Sequence, residues 1–223
     1  MARFTRIQVA LKLEEAGFLP LFYHHDLEVL KKIVAACYNG GIRILEFTNR
    51  GEFAPEIFSE LNKYAISTFP DLILGAGTIM DAGTASMYIQ AGANFILSPV
   101  LHEDVAKICN RRKILWIPGC ATASEISSAE ELGAEIVKIF PASLLGGPKF
   151  IAAIKGPSPW TSMIVTGGIT DDEATLKEYF DAGVHSLGMS LIVAAEDVES
   201  SNFKNIEDRC RKVSEKISKV KNR

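Results

Sequence analysis

The segment Leu132-Gly-Ala-Glu-Ile-Val-Lys-Ile-Phe-Pro-Ala142 shows how the chain is built. In it, a glycine ends an amphipathic stretch, and a mostly β-branched run follows and leads to a proline. Glycine is the usual left-handed cap after a helix, and such a bounded apolar run is typical of a buried strand. The same joint recurs as Ala91-Gly-Ala-Asn-Phe-Ile96 and Ala182-Gly-Val-His-Ser-Leu187. The chain is therefore predicted to alternate helices with the strands of a parallel sheet.

This alternation occurs eight times and predicts an α/β fold, a (β/α)8 TIM barrel that forms a single domain over residues 1–223. The predicted strands are Phe18–Tyr23, Arg43–Phe47, Leu72–Ala76, Phe95–Leu97, Ile114–Ile117, Ile136–Ile139, Met163–Val165 and Ser186–Gly188. Residues 1–17 are assigned to an extra N-terminal helix, 18–193 to the barrel and 203–223 to a C-terminal helix and tail. An open doubly wound sheet is the alternative, but no Gly-x-Gly-x-x-Gly motif follows the first strand.

Composition limits the classes of function. The 223 residues carry a formal net charge of -3, which argues against a nucleic-acid partner or a membrane surface bound through bulk charge. We expect neither a signal peptide nor a membrane span, because no stretch has the required apolar length. The four cysteines are scattered, which favours reduced thiols in the cytoplasm over disulfides or a zinc site. On a strand, His24 and His25 would point to opposite faces, so we expect no metal site there.

Lys138 lies in the middle of a predicted buried strand. Lysine is almost never fully buried without a reason. Desolvation disfavours the ammonium form, lowers the pKa of the amine and frees it to attack a carbonyl group. This position therefore indicates a Schiff-base enzyme. The alternative is a strand-end lysine whose ammonium group reaches solvent or a carboxylate partner.

Reactive and polar residues gather where the predicted strands end. The C-terminal ends of the strands carry the active site in a barrel of this kind. The groups found there are Glu46 with Thr48 to Arg50, Gly75 to Thr78, Ser98 with Pro99, Pro118 to Thr122, Lys138 with Phe140 and Pro141, Thr166 to Gly168, and Gly188 to Ser190. The strand starts are mostly apolar, so this asymmetry indicates an active site at one end of the barrel.

Glu46 and Lys138 are predicted to face the same cavity. Alternation along a strand puts Ile44 and Glu46 on one face, and Ile136 and Lys138 on one face. The two strands are the second and the sixth, and even-numbered strands contribute to the same interior layers. A carboxylate and an amine so placed suit a proton shuttle and a nucleophile, with a buried salt bridge as the alternative. Arg50 follows closely and suits an anion clamp, since a guanidinium matches a carboxylate, with a surface loop arginine as the alternative.

The glycines after the last two strands are candidates for a phosphate site. Backbone N–H groups at a glycine pair and a nearby helix N-terminus bind phosphate, and barrels frequently place such a site after strands seven and eight. The candidate residues are Thr166, Gly167, Gly168, Gly188 and Ser190. The alternative is that Gly167 and Gly168 only form a tight turn.

These motifs together resemble one family in order and spacing. They are Leu45-Glu-Phe-Thr-Asn-Arg50, Gly75-Ala-Gly-Thr78, Ser98-Pro99, Pro118-Gly119 with Thr122 and Glu125, Val137-Lys-Ile-Phe-Pro-Ala142, and Thr166-Gly-Gly-Ile169. The chain resembles, over about residues 19–193, the class I aldolases that cleave 2-keto-3-deoxy-6-phosphogluconate and often act on 4-hydroxy-2-oxoglutarate.

The resemblance implies a homotrimeric lyase that acts on a small keto acid without a metal or other cofactor. It implies that Lys138 forms the Schiff base and that Glu46 is the general acid and base, partly through a water molecule. Arg50 and Thr78 would bind the pyruvate carboxylate. Gly167, Gly168, Gly188 and Ser190 would hold the distal phosphate. The motif residues Pro99, Thr122 and Phe140 are expected to line the pocket, and Thr166 to add a hydroxyl group to the phosphate site.

Three positions depart from the family pattern. Asn49 stands where many members have leucine, Met189 where a second glycine is common, and Tyr23-His24-His25 where an arginine often ends the first strand. These departures concern the distal half of the substrate. The alternative functions are an aldolase for a related 2-keto-3-deoxy sugar acid, a sugar-phosphate isomerase or epimerase, and a non-catalytic sugar-acid-binding barrel.

Overall fold

Parallel strands form a ring with helices around it. A computed structural model describes residues 2–221. Its strands are β1 Phe18–Phe22, β2 Ile44–Thr48, β3 Ile73–Gly77, β4 Phe95–Leu97, β5 Leu115–Ile117, β6 Gly119–Cys120, β7 Val137–Ile139, β8 Met163–Thr166 and β9 Ser186–Met189. Its α-helices are α1 Arg6–Ala16, α2 Leu27–Asn39, α3 Ala54–Thr68, α4 Ala82–Gln90, α5 Glu103–Arg112, α6 Ala123–Glu131, α7 Pro148–Lys155, α8 Glu173–Asp181, α9 Ala195–Glu199 and α10 Phe203–Lys221.

The ring closes through a strand that is interrupted by a proline. The strands are hydrogen bonded in the order β5-β4-β3-β2-β1-β9-β8-β7-β6. β5 pairs with β4 and β6 pairs with β7, and only Pro118 separates β5 from β6. Pro118 has no N–H group, but its carbonyl oxygen accepts a hydrogen bond of 2.7 Å from the backbone N–H of Lys138. β5 and β6 therefore act as one strand, and the predicted (β/α)8 barrel is confirmed.

The interior of the barrel is apolar at the end where the strands begin. The inward residues there form one buried cluster, made of Leu19, Ile44, Ile73, Phe95, Leu97, Leu115, Ile117, Ile136 and Ile164. Val9 and Leu13 of α1 belong to the same cluster and are fully buried, so the extra helix closes this end of the barrel. Thr5 begins α1 with a capping box, in which its side chain and that of Gln8 bond each other's backbone N–H.

The C-terminal part of the chain completes the outer layer. α10 follows the last strand and packs between α2 and α8, the first and seventh helices of the ring, and it buries Ile206, Cys210 and Val213 among others. A short 3-10 helix, Ser190–Ile192, and α9 lie between β9 and α10, and the sequence did not predict either of them. The assignment of residues 1–223 to one domain stays a prediction, and residues 222–223 of its tail lie outside the described part. Within residues 2–221, no helix has the length and apolar character of a membrane span.

Candidate active site

The predicted site residues lie together at the C-terminal ends of the strands. Glu46 is in β2, Lys138 in β7, Thr166 at the end of β8 and Gly188 in β9. The others are in the segments that follow strands, namely Arg50, Thr78, Pro99, Thr122, Phe140, Gly167, Gly168 and Ser190. Since all strands of the ring are parallel, these positions share one end of the barrel, opposite the end that α1 closes.

Glu46 occupies space that a glycine leaves open. In the register between β2 and β3, Glu46 lies beside Gly75 and Thr48 lies beside Gly77. A Cβ atom on Gly77 would overlap the Glu46 carboxylate, so only glycine at this position allows the side chain its place. Glu46 is 2% exposed. Burial raises the pKa of its carboxyl group, and the positive charges of Lys138 and Arg50 oppose that rise without cancelling it.

Lys138 is almost as deeply buried, with 6% of its surface exposed. Its Nζ atom lies 4.9 Å from the centre of the Phe140 ring. Burial lowers the pKa of the amine, the carboxylate of Glu46 opposes this change, and the positive charge of Arg50 reinforces it.

Glu46 and Lys138 interact electrostatically but do not contact each other. Within residues 2–221, no hydrogen bond or ion pair joins the two side chains, so the alternative of a buried salt bridge is wrong. Space between an amine and a carboxyl group is what a substrate carbonyl and hydroxyl need. Burial is the largest cause of both pKa shifts and favours the uncharged forms, a neutral amine and a protonated acid. These are the forms that a nucleophile and a general acid require.

Arg50 and Thr78 are held near each other by the backbone. The N–H of Asn49 donates a 2.8 Å hydrogen bond to the carbonyl oxygen of Gly77, which ties the segment after β2 to the end of β3. Thr78 has a φ of 61°, in the left-handed region, and its side chain is half-buried. Arg50 is exposed, yet its charge affects both Glu46 and Lys138. The arrangement therefore offers a cation and a hydroxyl group beside the two buried residues.

The glycines after β8 and in β9 lie in crowded backbone. Gly167 and Gly168 have φ values of 99° and 75°, and a Cβ atom on Gly168 would overlap the hydroxyl group of Ser143. The carbonyl oxygen of Gly167 accepts a 3.1 Å hydrogen bond from the Ser143 N–H, which fixes this turn. A Cβ atom on Gly188 would likewise overlap the Thr166 hydroxyl group. The ends of β8 and β9 thus bring their backbones and the Thr166 hydroxyl group close together.

The three expected pocket-lining residues differ in their surroundings. Phe140 is 37% exposed and has its ring over Lys138. Pro99 is half-buried and packs its backbone against Gly119. Thr122 is the N-cap of α6, where its hydroxyl group accepts from the Glu125 N–H at 3.2 Å. The Thr122 side chain therefore has a structural partner already.

A cavity of about 290 Å³ opens beside Arg50, between the ends of β1 and β2 and the segment after β9. Its lining includes Arg50 and Ser190 from the predicted site, and Tyr23, His24 and Thr48, which the sequence placed at strand ends. It also includes four residues that sequence reasoning had not assigned, Val193, Ala195, Val198 and Glu199, and three of these lie in α9, which was not predicted.

The two histidines after β1 do not behave as predicted. They lie beyond the strand, which ends at Phe22, and their rings stack with centres 4.5 Å apart instead of pointing to opposite faces. The Nδ1 atom of His24 accepts a 3.0 Å hydrogen bond from the Asp26 N–H. Within the described residues, no group of three or more His, Cys, Asp and Glu side chains could hold a metal ion.

Two of the departures from the family pattern stand at strand ends, but their side chains pack against other parts of the fold. Asn49 accepts a 2.8 Å hydrogen bond from the Tyr88 hydroxyl group. Met189 is fully buried in the cluster between the barrel and its helices, so its side chain does not crowd the glycines at the mouth. Tyr23 and His24, by contrast, line the cavity beside Arg50.

Comparisons with known proteins agree with this geometry. The family model described as KDPG and KHG aldolase matches residues 9–209. A 2-dehydro-3-deoxy-phosphogluconate aldolase of Treponema pallidum is 32% identical over 195 residues, 87% of this chain and 90% of the relative. A KHG/KDPG aldolase of Escherichia coli K12 is 33% identical over 192 residues, 86% of this chain and 85% of the relative. The structure of KDPG aldolase from Legionella pneumophila, with pyruvate captured at low pH as a covalent carbinolamine intermediate, gives a TM-score of 0.82 at 30% identity and covers 92% of this chain and 97% of that one.

The barrel and its relatives define the class of protein, a class I aldolase, which is a carbon–carbon lyase that works through a Schiff base. The relatives in this family act on small keto acids. The chain belongs to the KDPG and KHG aldolase family, and the resemblance seen in its sequence is confirmed.

Proposed function

We propose that this chain cleaves 2-keto-3-deoxy-6-phosphogluconate to pyruvate and glyceraldehyde 3-phosphate, with Lys138 as the Schiff-base nucleophile. The observation that carries this proposal is the buried amine of Lys138, which has a lowered pKa and faces a buried Glu46 without pairing with it. The substrates named for the relatives in Treponema pallidum and Escherichia coli support the choice of substrate.

Lys138 and Glu46 carry out the successive steps of the cleavage. The neutral Lys138 amine adds to the C2 carbonyl carbon to form a carbinolamine, and protonated Glu46 gives a proton to its hydroxyl group, which leaves as water and gives a protonated imine. The C3–C4 bond then breaks, its electrons move into an enamine, and Glu46 accepts the proton of the C4 hydroxyl group as the aldehyde leaves. The enamine takes a proton at C3, and water hydrolyses the imine to release pyruvate and restore the amine. The carbinolamine captured in the Legionella pneumophila enzyme is the adduct that precedes such an imine.

The remaining residues hold the two ends of the substrate. Arg50 and Thr78 bind the carboxylate next to the keto carbon, because a guanidinium group and a hydroxyl group match its oxygens. Thr166, Gly167, Gly168, Gly188 and Ser190 bind the distal phosphate. The left-handed turn at the glycine pair and the absence of Cβ atoms there support close approach of an anion to the backbone.

A second candidate substrate is 4-hydroxy-2-oxoglutarate, which would give pyruvate and glyoxylate. The name of the Escherichia coli relative, KHG/KDPG aldolase, favours it. The same lysine chemistry applies, but this substrate carries a carboxylate in place of the distal phosphate. An aldolase for a related 2-keto-3-deoxy sugar acid would also use Lys138 and Glu46. Family membership speaks against an isomerase, an epimerase or a non-catalytic barrel.

Trapping of the imine tests this proposal. The protein is incubated with pyruvate and borohydride, and peptides are mapped by mass spectrometry. We expect a reduced pyruvyl adduct on Lys138, no adduct and no cleavage in Lys138→Met, and normal behaviour of Lys149→Met, which removes an exposed lysine of α7. An adduct on another lysine, or cleavage by Lys138→Met above a few per cent of the wild-type rate, would contradict the assignment.

We propose a homotrimeric assembly and a cytoplasmic location as well. The resemblance supports the first, and sedimentation of the purified protein tests it. The four cysteines, all unbridged and buried, support a reducing compartment.

A further inference from the structure

The segment between β9 and α10 forms one wall of the cavity beside Arg50. Its 3-10 helix begins at Ser190, directly after β9, and it contributes Val193, Ala195 and Val198 to the cavity lining. The Val193 N–H donates a 3.2 Å hydrogen bond to the Ser190 carbonyl oxygen. Ser190 and the apolar wall of the cavity therefore belong to one short segment of the chain.

Asp197 and Arg209 fix this wall to α10. Nη1 of Arg209 lies 2.7 Å from Oδ2 of Asp197 and donates a 2.9 Å hydrogen bond to the carbonyl oxygen of Ile192. Asn205 donates a 2.9 Å hydrogen bond to the other carboxylate oxygen of Asp197. One guanidinium group thus holds the wall at two places, at the end of the 3-10 helix and in the middle of α9.

The surroundings of the pair make it unlike the surface ion pairs of this chain. The side chain of Asp197 is 9% exposed and that of Arg209 is 27% exposed. Burial raises the pKa of Asp197, but the hydrogen bond from Asn205 and the charge of Arg209 outweigh burial and the pKa is lowered overall. The carboxylate therefore stays charged at neutral pH. A partly buried ion pair whose two members each have a further hydrogen-bond partner fixes geometry in a way that exposed pairs do not.

The pair also lies close in sequence to a proposed substrate contact. The Ile192 carbonyl oxygen that Arg209 holds is two residues from Ser190, and Ile192 itself is fully buried. A shift of the wall would move the Ser190 hydroxyl group relative to Gly188, which β9 keeps in place through its pairing with β8. The half of the site around Lys138 and Glu46 belongs to other strands and would not move with it.

We propose that Asp197 and Arg209 are positioning residues for the distal end of the substrate. They hold Ser190 and the cavity wall in the geometry that receives the phosphate-bearing aldehyde half, and they take no part in imine formation. This inference rests on the proposed function, because it assumes that the distal phosphate lies near Gly188 and Ser190.

The test compares a reaction that needs only the pyruvate half of the substrate with one that needs both halves. Exchange of the C3 hydrogens of pyruvate for deuterium in D₂O requires only the imine, the enamine and the carboxylate contact, whereas cleavage of 2-keto-3-deoxy-6-phosphogluconate also needs the distal end. Arg209→Met and Asp197→Asn are measured in both reactions. Arg211→Met is the matched control, because Arg211 lies on the same helix and its partners, Glu207, Asp208 and the carbonyl oxygen of Asn39, lie outside the cavity lining.

We expect both variants to raise the KM for the phosphorylated substrate about tenfold or more, the cost of one lost charge-assisted hydrogen bond. Exchange of pyruvate should stay within about twofold of wild type, and Arg211→Met should leave both reactions unchanged. If Arg209→Met does not fold, Arg209→Lys replaces it, since lysine keeps the charge but not the two-point contact. An equal loss in both reactions, or no loss in either, would overturn the positioning role. Absence of exchange in the wild type would instead overturn the proposed function.

Discussion

Burial and two positive charges shift the pKa of the Glu46 carboxyl group in opposite directions. Burial is the larger cause, so the pKa of its carboxyl group is raised, and its own negative charge in turn raises the pKa of Lys138 against the effect of burial. The two groups are therefore linked through space. A change to either one alters the protonation of the other.

Glu46→Gln is expected to slow cleavage by roughly 10²–10⁴-fold, the usual contribution of a positioned acid or base. It should also lower the pKa of Lys138 further, because the carboxylate that favours the ammonium form is gone. The rate of trapping with pyruvate and cyanoborohydride, measured against pH, should then rise at lower pH than in wild type. Glu52→Gln, which removes an exposed carboxylate from the segment after β2, should change neither quantity. An unchanged cleavage rate in Glu46→Gln would remove this residue from the mechanism.

The sequence could predict that these two side chains lie near enough to interact, because alternation along a strand and the shared layers of even strands depend only on position. It could not predict where His24, His25 and Met189 point. Those residues lie in a loop or at a strand end, where alternation no longer applies, and the packing of neighbouring helices decides their direction.

At the scale of elements, β3 is distinguished by two glycines that leave space for neighbouring side chains. Its inward positions are Gly75 and Gly77, and the space that their missing side chains leave is filled by the Phe95 ring and by the Glu46 carboxylate, respectively. Neither glycine has a left-handed φ, so an alanine would be acceptable to the backbone at both positions. Side-chain packing therefore requires glycine at both positions of β3, against Phe95 at one and against Glu46 at the other.

The two alanine substitutions in β3 should therefore separate stability from activity. Gly77→Ala displaces Glu46, and we expect cleavage to fall toward the level of Glu46→Gln. Gly75→Ala forces the Phe95 ring to move, and we expect a loss of about 1–3 kcal/mol in the free energy of unfolding, the usual cost of overpacking, with cleavage by the folded protein retained. Urea unfolding and steady-state kinetics on both variants measure this. Equal activity of the two would show that Gly77 does not position Glu46.

The bounds of the elements were well predicted, because regular alternation and glycine caps mark them in the sequence. The 3-10 helix and α9 were missed, since segments of three and five residues are too short to show a helical period. The division of the fifth strand at Pro118 was missed because a proline between two apolar runs reads equally well as the end of a strand. The Asp197–Arg209 pair could not be predicted either, because Asp197 lies in α9.

At the scale of the whole molecule, the buried lysine should make the fold less stable at neutral pH. The pKa of Lys138 in the folded chain is below its ordinary value of 10.5, so the unfolded chain binds more protons between these two values. Stability therefore rises with pH across that window. Below it, the folded state carries the full cost of a buried ammonium group.

Lys138→Met is expected to raise the free energy of unfolding at pH 7 by roughly 1 kcal/mol, a common size for stabilising substitutions, while it abolishes cleavage. The gain should disappear as the pH rises past 10.5, because wild-type Lys138 is then neutral in both states. Loss of the Lys138 charge raises the pKa of the buried Glu46 carboxyl group further, and this effect limits the gain. Urea unfolding of wild type, Lys138→Met and Lys149→Met at several pH values measures it. A variant less stable than wild type at pH 7 would contradict this account.

The N-terminal helix that closes the barrel has a consequence for the order in which the chain folds during synthesis. Residues near the start bond to partners made much later: the Arg3 N–H donates to Asn94, and Arg6 bonds the carbonyl oxygen of Gly133 and pairs with Glu135. Val9 and Leu13 pack on strands spread around the whole ring. The helix α1 therefore has to wait during synthesis, with its apolar face uncovered, until β8, which carries Ile164, has left the ribosome.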